Sequence, residues 1–416
     1  MSTLSRRTFL RRSAQTSAAG LLAGPAIQSV LWASPAGAVV GLPKARGRIV
    51  QVFLRGGMDG LTAVVPAGEA AYYTARPTIA VPANKTIAVD PRFGLHPALA
   101  PLADLYRQGD LAIVHAMGNA STSRSHFEVQ AAVELGSVAN ASGGWITRHL
   151  AATAPLGGSP VRAVALSAAT PASLRACREC VATPALAGLG LGGRSGLLTN
   201  QRAALAGLYE GATSVDSDGR TALAALDALS KLVTGPGANA DATAVGGDEG
   251  VDEFHAALND AARLLTSDLG IEAITIDYGG WDLHSGLGNA EEGVMAAMLA
   301  SLAKGLAKFW DQLRGAGVDD VTVIVMSEFG RRVAENGSRG ADHGSGQAAF
   351  FLGKGLRGGR VITDWPGLDA AKLDRGDLRG TTDYRDVLAE LLQARHGNTS
   401  VDTIFAGRPG KPVGLV

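Results

Sequence analysis

The sequence predicts an α/β domain with a mostly parallel central sheet, helices on both faces and an inserted helical cap. Three observations carry that prediction. Apolar runs rich in β-branched residues alternate along the chain with stretches at helical spacing, the pattern of strands buried on both faces of a parallel sheet. Glycine supplies 55 of 416 residues, about twice the usual share, and much of it falls in turns between those runs, where short strand-to-helix connections need it. With 46% hydrophobic and 18% charged residues, the chain has enough apolar content to bury a sizeable core.

Composition also excludes classes. Lys+Arg and Asp+Glu both number 38, so no global field draws nucleic acid or an anionic membrane surface. The two cysteines, Cys177 and Cys180, are too few for a disulfide-stapled scaffold.

Residues 1–38 read as an address outside the fold. Ser5-Arg6-Arg7-Thr8-Phe9-Leu10-Arg11 is a twin-arginine signal, followed by a weakly apolar stretch from Ala18 to Trp32 and a small-residue cleavage site, Ala36-Gly37-Ala38. Gly24-Pro25 interrupts the apolar stretch, which is too short to span a bilayer. The expected location is the periplasm or the exterior, with the twin-arginine export machinery as a partner and no membrane insertion.

The expected mature chain, 39–416, opens with a strand from Arg48 to Leu54 that ends in Arg55-Gly56-Gly57-Met58-Asp59-Gly60. An acid flanked by glycines after a first strand is either a ligand position or an Asx turn. A helix over 97–106 and a strand over 111–116 lead to Arg124-Ser125-His126-Phe127-Glu128. Ser125 and Glu128 have capping-box spacing. The same helix start favours an anion, which Arg124 would also bind, and a serine there is a candidate nucleophile if a metal lowers its pKa.

Residues 145–151 read as a helix, 161–166 as a strand, and 172–181 as a helical stretch holding Cys177 and Cys180. No second CxxC or nearby histidine completes a zinc set, so a local disulfide is the simpler reading and a redox pair the alternative. Residues 184–250 are rich in Ala and Gly, carry helical patterns over 201–209 and 220–232, and contain a linker-like run over 234–243. They read as a cap insertion.

After a helix over 254–265 and a strand over 271–277 stands Gly280-Trp281-Asp282-Leu283-His284. Two apart on an extended segment, Asp282 and His284 point to one side and can share an ion or pair with each other. A long helix over 291–314 precedes the near-continuous apolar run Val321 to Met326, whose carboxyl end delivers Ser327 and Glu328. In open α/β sheets that end faces the ligand crevice. The following loop supplies Asp342 and His343, a strand re-enters at 348–352, and a helix over 383–394 closes the chain.

Together, the twin-arginine start and the segments Arg55 to Gly60, Arg124 to Phe127, Gly280 to His284 and Ser327-Glu328-Phe329-Gly330-Arg331 resemble a bacterial domain of unknown function, number fifteen-oh-one. The resemblance covers nearly the whole mature chain. It implies the fold of the alkaline phosphatase and sulfatase superfamily, with Asp59, Ser125, Asp282 with His284, Glu328 and His343 matching the order of that superfamily's site residues. Glu328-Phe329 stands where the superfamily carries Asp-His, so a second metal lacks its imidazole. No Cys/Ser-x-Pro-x-Arg motif is present for conversion to the formylglycine of sulfatases.

The expectation is an exported hydrolase of phosphate esters on a small molecule or glycan. About one divalent ion, zinc or manganese, is held by Asp282, His284 and His343, with Asp59 and Glu328 as a weaker second set. Ser125 or a water attacks and Arg124 steadies the anion. A non-catalytic binding protein on the same fold and a CxxC redox protein are the rivals. Replacing Arg6 and Arg7 together by Lys should leave unprocessed precursor in the cytoplasm, because lysine offers only a point charge to a receptor that reads guanidinium groups. Fractionation and immunoblotting check this, and mature periplasmic double mutant would refute the export signal.

Overall fold

The computed structural model describes residues 46–119, 121–136, 141–189, 198–234, 249–405, 408 and 410–416. The export signal and most of the linker-like run lie outside these residues. In chain order the strands are β1 (Arg48–Leu54), β2 (Val64–Val65), β3 (Ile87–Ala88), β4 (Gly94–Leu95), β5 (Leu111–Gly118) and β6 (Ala163–Leu166). They continue with β7 (Cys180–Ala182), β8 (Ala273–Tyr278), β9 (Val321–Met326), β10 (Gln347–Leu352), β11 (Val361–Ile362) and β12 (Thr382–Asp383). Strands β2 to β4 make a small separate sheet; the others form one sheet in the order β11-β5-β10-β9-β1-β8-β6-β7, with β12 also pairing with β5.

The sheet is mixed and mostly parallel. Strands β9, β1, β8, β6 and β7 run parallel in succession, while β10 is antiparallel to both β9 and β5. The reason is local: the segment between β9 and β10 contains no helix, and a return without a helical crossover favours an antiparallel neighbour.

Burial on both faces follows from alternation along each strand. Val50, Val52 and Leu54 of β1, with Val323 and Val325 of β9, pack in one core with the helices Ala100–Arg107, Glu249–Leu265 and Val294–Gly315. Ile49 and Phe53, with Ile324 and Met326, face the opposite core, made with the helices Trp145–Ala151 and Tyr384–Ala394. Helices therefore cover both faces, as the apolar runs require.

The stretch 172–181 departs from its helical expectation. Only Ala172–Leu174 forms a turn of 3-10 helix, and Cys180 opens β7, pairing in parallel with Ala163 of β6. Pairing at the sheet edge outweighs the local helical pattern there. Cys177 and Cys180 form the expected local disulfide, with Cα atoms 5.6 Å apart. Within 184–250, helices Leu198–Leu208 and Ser214–Thr234 share a small cluster of Leu205, Tyr209 and Leu223, and Ala222, Ala225 and Leu229 join the main core.

Two buried imidazoles make the fold acid-sensitive. Burial pushes His149 down to about 3 and His396 down to about 4, and their rings meet edge to face with centroids 5.9 Å apart. Neutral His149 accepts a hydrogen bond at Nδ1 from Asn398 Nδ2, at 2.9 Å. In the unfolded chain both histidines protonate below about pH 6.5, so their contribution is complete above that pH and is lost as pH falls towards the folded values. Between pH 7 and pH 5, urea melts should show a loss on the order of 4 kcal/mol from the two groups together, about 2 from each. His149→Gln should show a smaller loss over the same interval, and an identical one would refute the assignment.

Candidate metal centre

The carboxyl ends of β1, β8 and β9 meet a helix start to build the site. Glu328, fully buried just past β9, accepts from Gly56 N at 3.0 Å and Gln130 Nε2 at 2.8 Å, and lies 2.7 Å from His126 Nδ1. A buried carboxylate needs such partners. Its donors bring the turn after β1 and the helix His126–Glu134 to the end of β9. Gly56 has φ of 120°, and a Cβ there would lie 2.5 Å from Asp282 N. Glycine thus lets the chain after β1 run directly against the segment that carries Asp282.

Three imidazoles converge on Asp282. His126 Nδ1 meets Glu328, His343 Nδ1 lies 2.7 Å from the Arg124 carbonyl oxygen, and His284 Nδ1 lies 2.9 Å from Asp342 Oδ1. Carboxylate and carbonyl oxygens only accept, so each Nδ1 donates, and in the neutral ring each Nε2 then presents a lone pair. Asp282 Oδ1 stands 3.4 Å from His126 Nε2, 3.0 Å from His284 Nε2 and 3.1 Å from His343 Nε2. The Nε2 atoms of His284 and His343 are 2.8 Å apart. Such a concentration of acceptors calls for a proton or a cation between them.

His126, Asp282 and His343 each offer one donor atom within 4.8 Å of the others. His126 Nε2 is buried and has no hydrogen-bond partner, an orphan that a cation would satisfy. Nitrogen and carboxylate donors suit zinc or manganese. The acceptors behind the rings are the outer shell that fixes metal-binding tautomers.

Arg331 supplies the compensating charge. It is buried and donates to the carbonyl oxygens of Gly57 at 2.7 Å, Ala341 at 3.0 Å and Trp281 at 3.1 Å, and to Asp282 Oδ1 at 2.7 Å. Burial alone would raise Asp282, but the bond and charge of Arg331, with His343 and His284, bring it down to about 2. Burial pushes His343 below its ordinary value. Hydrogen bonds from Asn336 and His284 lower Asp342.

The sequence-derived residues separate by position. Asp282, His284 and His343 are brought together, although the set of donor atoms that could share one ion is His126, Asp282 and His343. Glu328 lies behind His126 and orients it. Asp59 is buried in an ion pair with Arg76 at 2.7 Å, and caps the short helix Gly60–Ala63 through Leu61 N and Thr62 N. Its carboxylate is thus engaged away from the cluster. The Arg124 guanidinium pairs with Asp377 at 2.6 Å, leaving its carbonyl to hold His343. Ser125 is the N-cap residue of the His126 helix, yet its side chain makes no capping bond. Ser123 Oγ instead meets Glu128 at 2.6 Å.

Sequence reasoning passed over His126 as a candidate ligand and Arg331 as the cation paired with Asp282, although both stood in segments already singled out. The available signal was a histidine at the first helical position, one residue beyond a candidate nucleophile.

Among the curated proteins none matches the sequence. Among solved structures the chain is similar to that of Ps i-CgsB in complex with k-i-k-neocarrahexaose, at 12% identity over 89% of this chain and 74% of that one, with a TM-score of 0.32. That likeness is too loose to bear on fold or function. A family model described as protein of unknown function (DUF1501) matches residues 120–395, more than half of the chain and the stretch holding all four converging side chains, so the chain belongs to the DUF1501 family.

Proposed function

We propose that the protein is an exported metal-dependent hydrolase of the alkaline phosphatase and sulfatase-like superfamily, acting on phosphate esters of a small molecule or glycan. The observation that carries this is the orphaned, buried Nε2 of His126 beside Asp282 and His343. About one divalent ion, zinc or manganese, is the natural complement of that donor set, with His284 adjoining it. Arg331 pairs with the same Oδ1 of Asp282 that faces the three imidazoles, a positive charge at the cluster that disfavours a second ion. Among the described residues no helix is long and apolar enough to cross a membrane.

When bound, the ion would supply Lewis-acid polarisation of the ester. The chain does the remaining work. Glu328, Asp342 and the Arg124 carbonyl hold three rings in one tautomer, and Arg331 holds Asp282 ionised. Ser125, whose hydroxyl is not spent on capping, is placed one residue from His126 as the candidate nucleophile. Attack by its oxygen on phosphorus would form a serine phosphoester and break the bond to the leaving alcohol, which takes up a proton; water would then release phosphate and regenerate the hydroxyl. The segment 184–250 acts as a cap in this reading.

Metal analysis of the mature protein, expressed with zinc and manganese supplied, should find about one tightly held ion per chain. His126→Ala and His343→Ala should each lose it. Asp59→Ala should retain it while losing about 3–5 kcal/mol of stability, because Arg76 is left buried and unpaired. A metal-free wild type, or loss of the ion in the Asp59 variant, would overturn the donor set.

Ser125 is tested on a panel of aryl phosphates. Ser125→Ala and Ser125→Asp should both abolish turnover, and thermal melts should differ from wild type by less than the roughly 1 kcal/mol of a lost cap, since no capping bond is made. Full activity in the aspartate variant would transfer the attack to water.

A further inference from the structure

A second hollow adjoins the metal centre and has a different chemistry. Asn119 with residues 121–124 and the loop Asp374–Gly380 face one another across about 170 Å³, with Phe329, Gly344 and Ser345 between them. The Phe329 ring lies 5.0 Å from the His126 ring and 4.9 Å from the His343 ring, tilted by 36° to each, and Gly344 and Ser345 directly follow His343. The hollow therefore borders the donor cluster. It is smaller than a complete small-molecule pocket, which runs to roughly 300–1,000 Å³, and suits one substituent of a larger ligand.

Its charges do not cancel. Asp377, 3% exposed, is paired with Arg124 at 2.6 Å, and Asp374 lies 3.5 Å from Arg375. Both carboxylates of the wall are thus matched by a guanidinium. Arg379, on the same wall, has no ion pair or hydrogen bond among the described residues and remains the uncompensated charge. Hydroxyls of Ser121, Thr122 and Ser345 line the remainder and can donate to an oxyanion.

The wall is held in place. Gly346 N donates to Leu378 O at 2.8 Å and Thr381 N to Ala116 O at 2.9 Å, on either side of Arg379, and β12 then pairs with β5. Gly118 and Gly380 cross so closely that a Cβ on either would lie within 2.8 Å of the other's Cα. Any larger residue at the crossing would lift the arginine-bearing loop off the end of β5. The backbone that carries Arg379 is thus anchored on both sides, and an exposed guanidinium with no partner to give up favours phosphate, sulfate or carboxylate oxygens in bidentate geometry.

We propose that this hollow is a subsite for a second anionic group of the substrate, with Arg379 as its specificity-determining residue. Substrates would then carry two oxyanions, one at the bond that is broken and one seated against Arg379. The inference rests on the hydrolase reading for the word substrate, while the anion site itself stands on the geometry alone.

Calorimetric titration of the mature protein with inorganic phosphate, after metal removal by a chelator, tests the site without turnover. Wild type and His126→Ala should bind phosphate alike, Arg379→Ala should bind at least about tenfold more weakly, and Arg379→Lys should retain part of the affinity. Arg379→Ala affinity within twofold of wild type, or no saturable binding by wild type, would overturn the subsite. Phosphate bound through Arg379 in a protein that takes up no metal would sink the hydrolase reading and leave the anion site standing. With metal restored and turnover established, Arg379→Ala should raise KM for aryl phosphates bearing a second carboxylate or phosphate and spare those without one. Equal effects on both classes would refute the two-anion specificity.

Discussion

The site depends on one buried carboxylate. Glu328 stands at the carboxyl end of β9, accepts from the turn that follows β1, and meets His126 and Gln130 on the helix that follows β5. A fully buried charge is tolerated only when its oxygens are satisfied, so the need to satisfy Glu328 draws three segments together, although Gly56 lies 272 positions from it in the chain. The same contact sets His126 in the tautomer that leaves Nε2 facing Asp282. Structural demand and chemical preparation are therefore a single interaction.

Arg331 plays the complementary part. Its guanidinium is saturated by backbone carbonyls from the turn after β1, the turn after β8 and the loop before His343. These bonds fix its position whether or not Asp282 is present, and one side remains directed at that carboxylate. A cation bound this way is a permanent part of the wall. With His343 and His284 it offsets the burial that would raise Asp282 and brings that carboxyl down to about 2. Asp59 tells the same story in reverse: an acid at the end of the first strand is consumed by Arg76 and a helix cap, so its place in the chain order does not make it a ligand.

The separation of cap from nucleophile at the His126 helix is also a tertiary matter. Capping-box spacing between Ser125 and Glu128 is real in the sequence, yet Glu128 pairs with Ser123. His126 is pulled towards Glu328 on the far side of the site, and the Arg124 carbonyl is engaged by His343. With both neighbours of Ser125 committed to other elements, local capping preference does not decide where its hydroxyl goes.

Much of the scaffold was legible in the sequence, because burial on two faces imposes a signature that needs no partner to be read. Val321 to Met326 and Arg48 to Leu54 could hardly be other than central strands. Asp282, His284 and His343 were legible for a related reason: a short extended spacing, or a glycine-bounded loop after a buried strand, limits where side chains can point. Residues 172–181 were misread because the edge pairing that makes Cys180 a strand residue depends on β6 and leaves no trace in local pattern. The role of Asp59 was hidden because Arg76 lies 17 positions on, and His126 could be recognised only once Glu328 stood behind it. Periodicity along the chain thus determined which segments are buried. Only the tertiary structure decided which polar groups at their ends pair with each other and which are left facing a common point, because satisfying a buried charge depends on neighbours brought from distant parts of the chain.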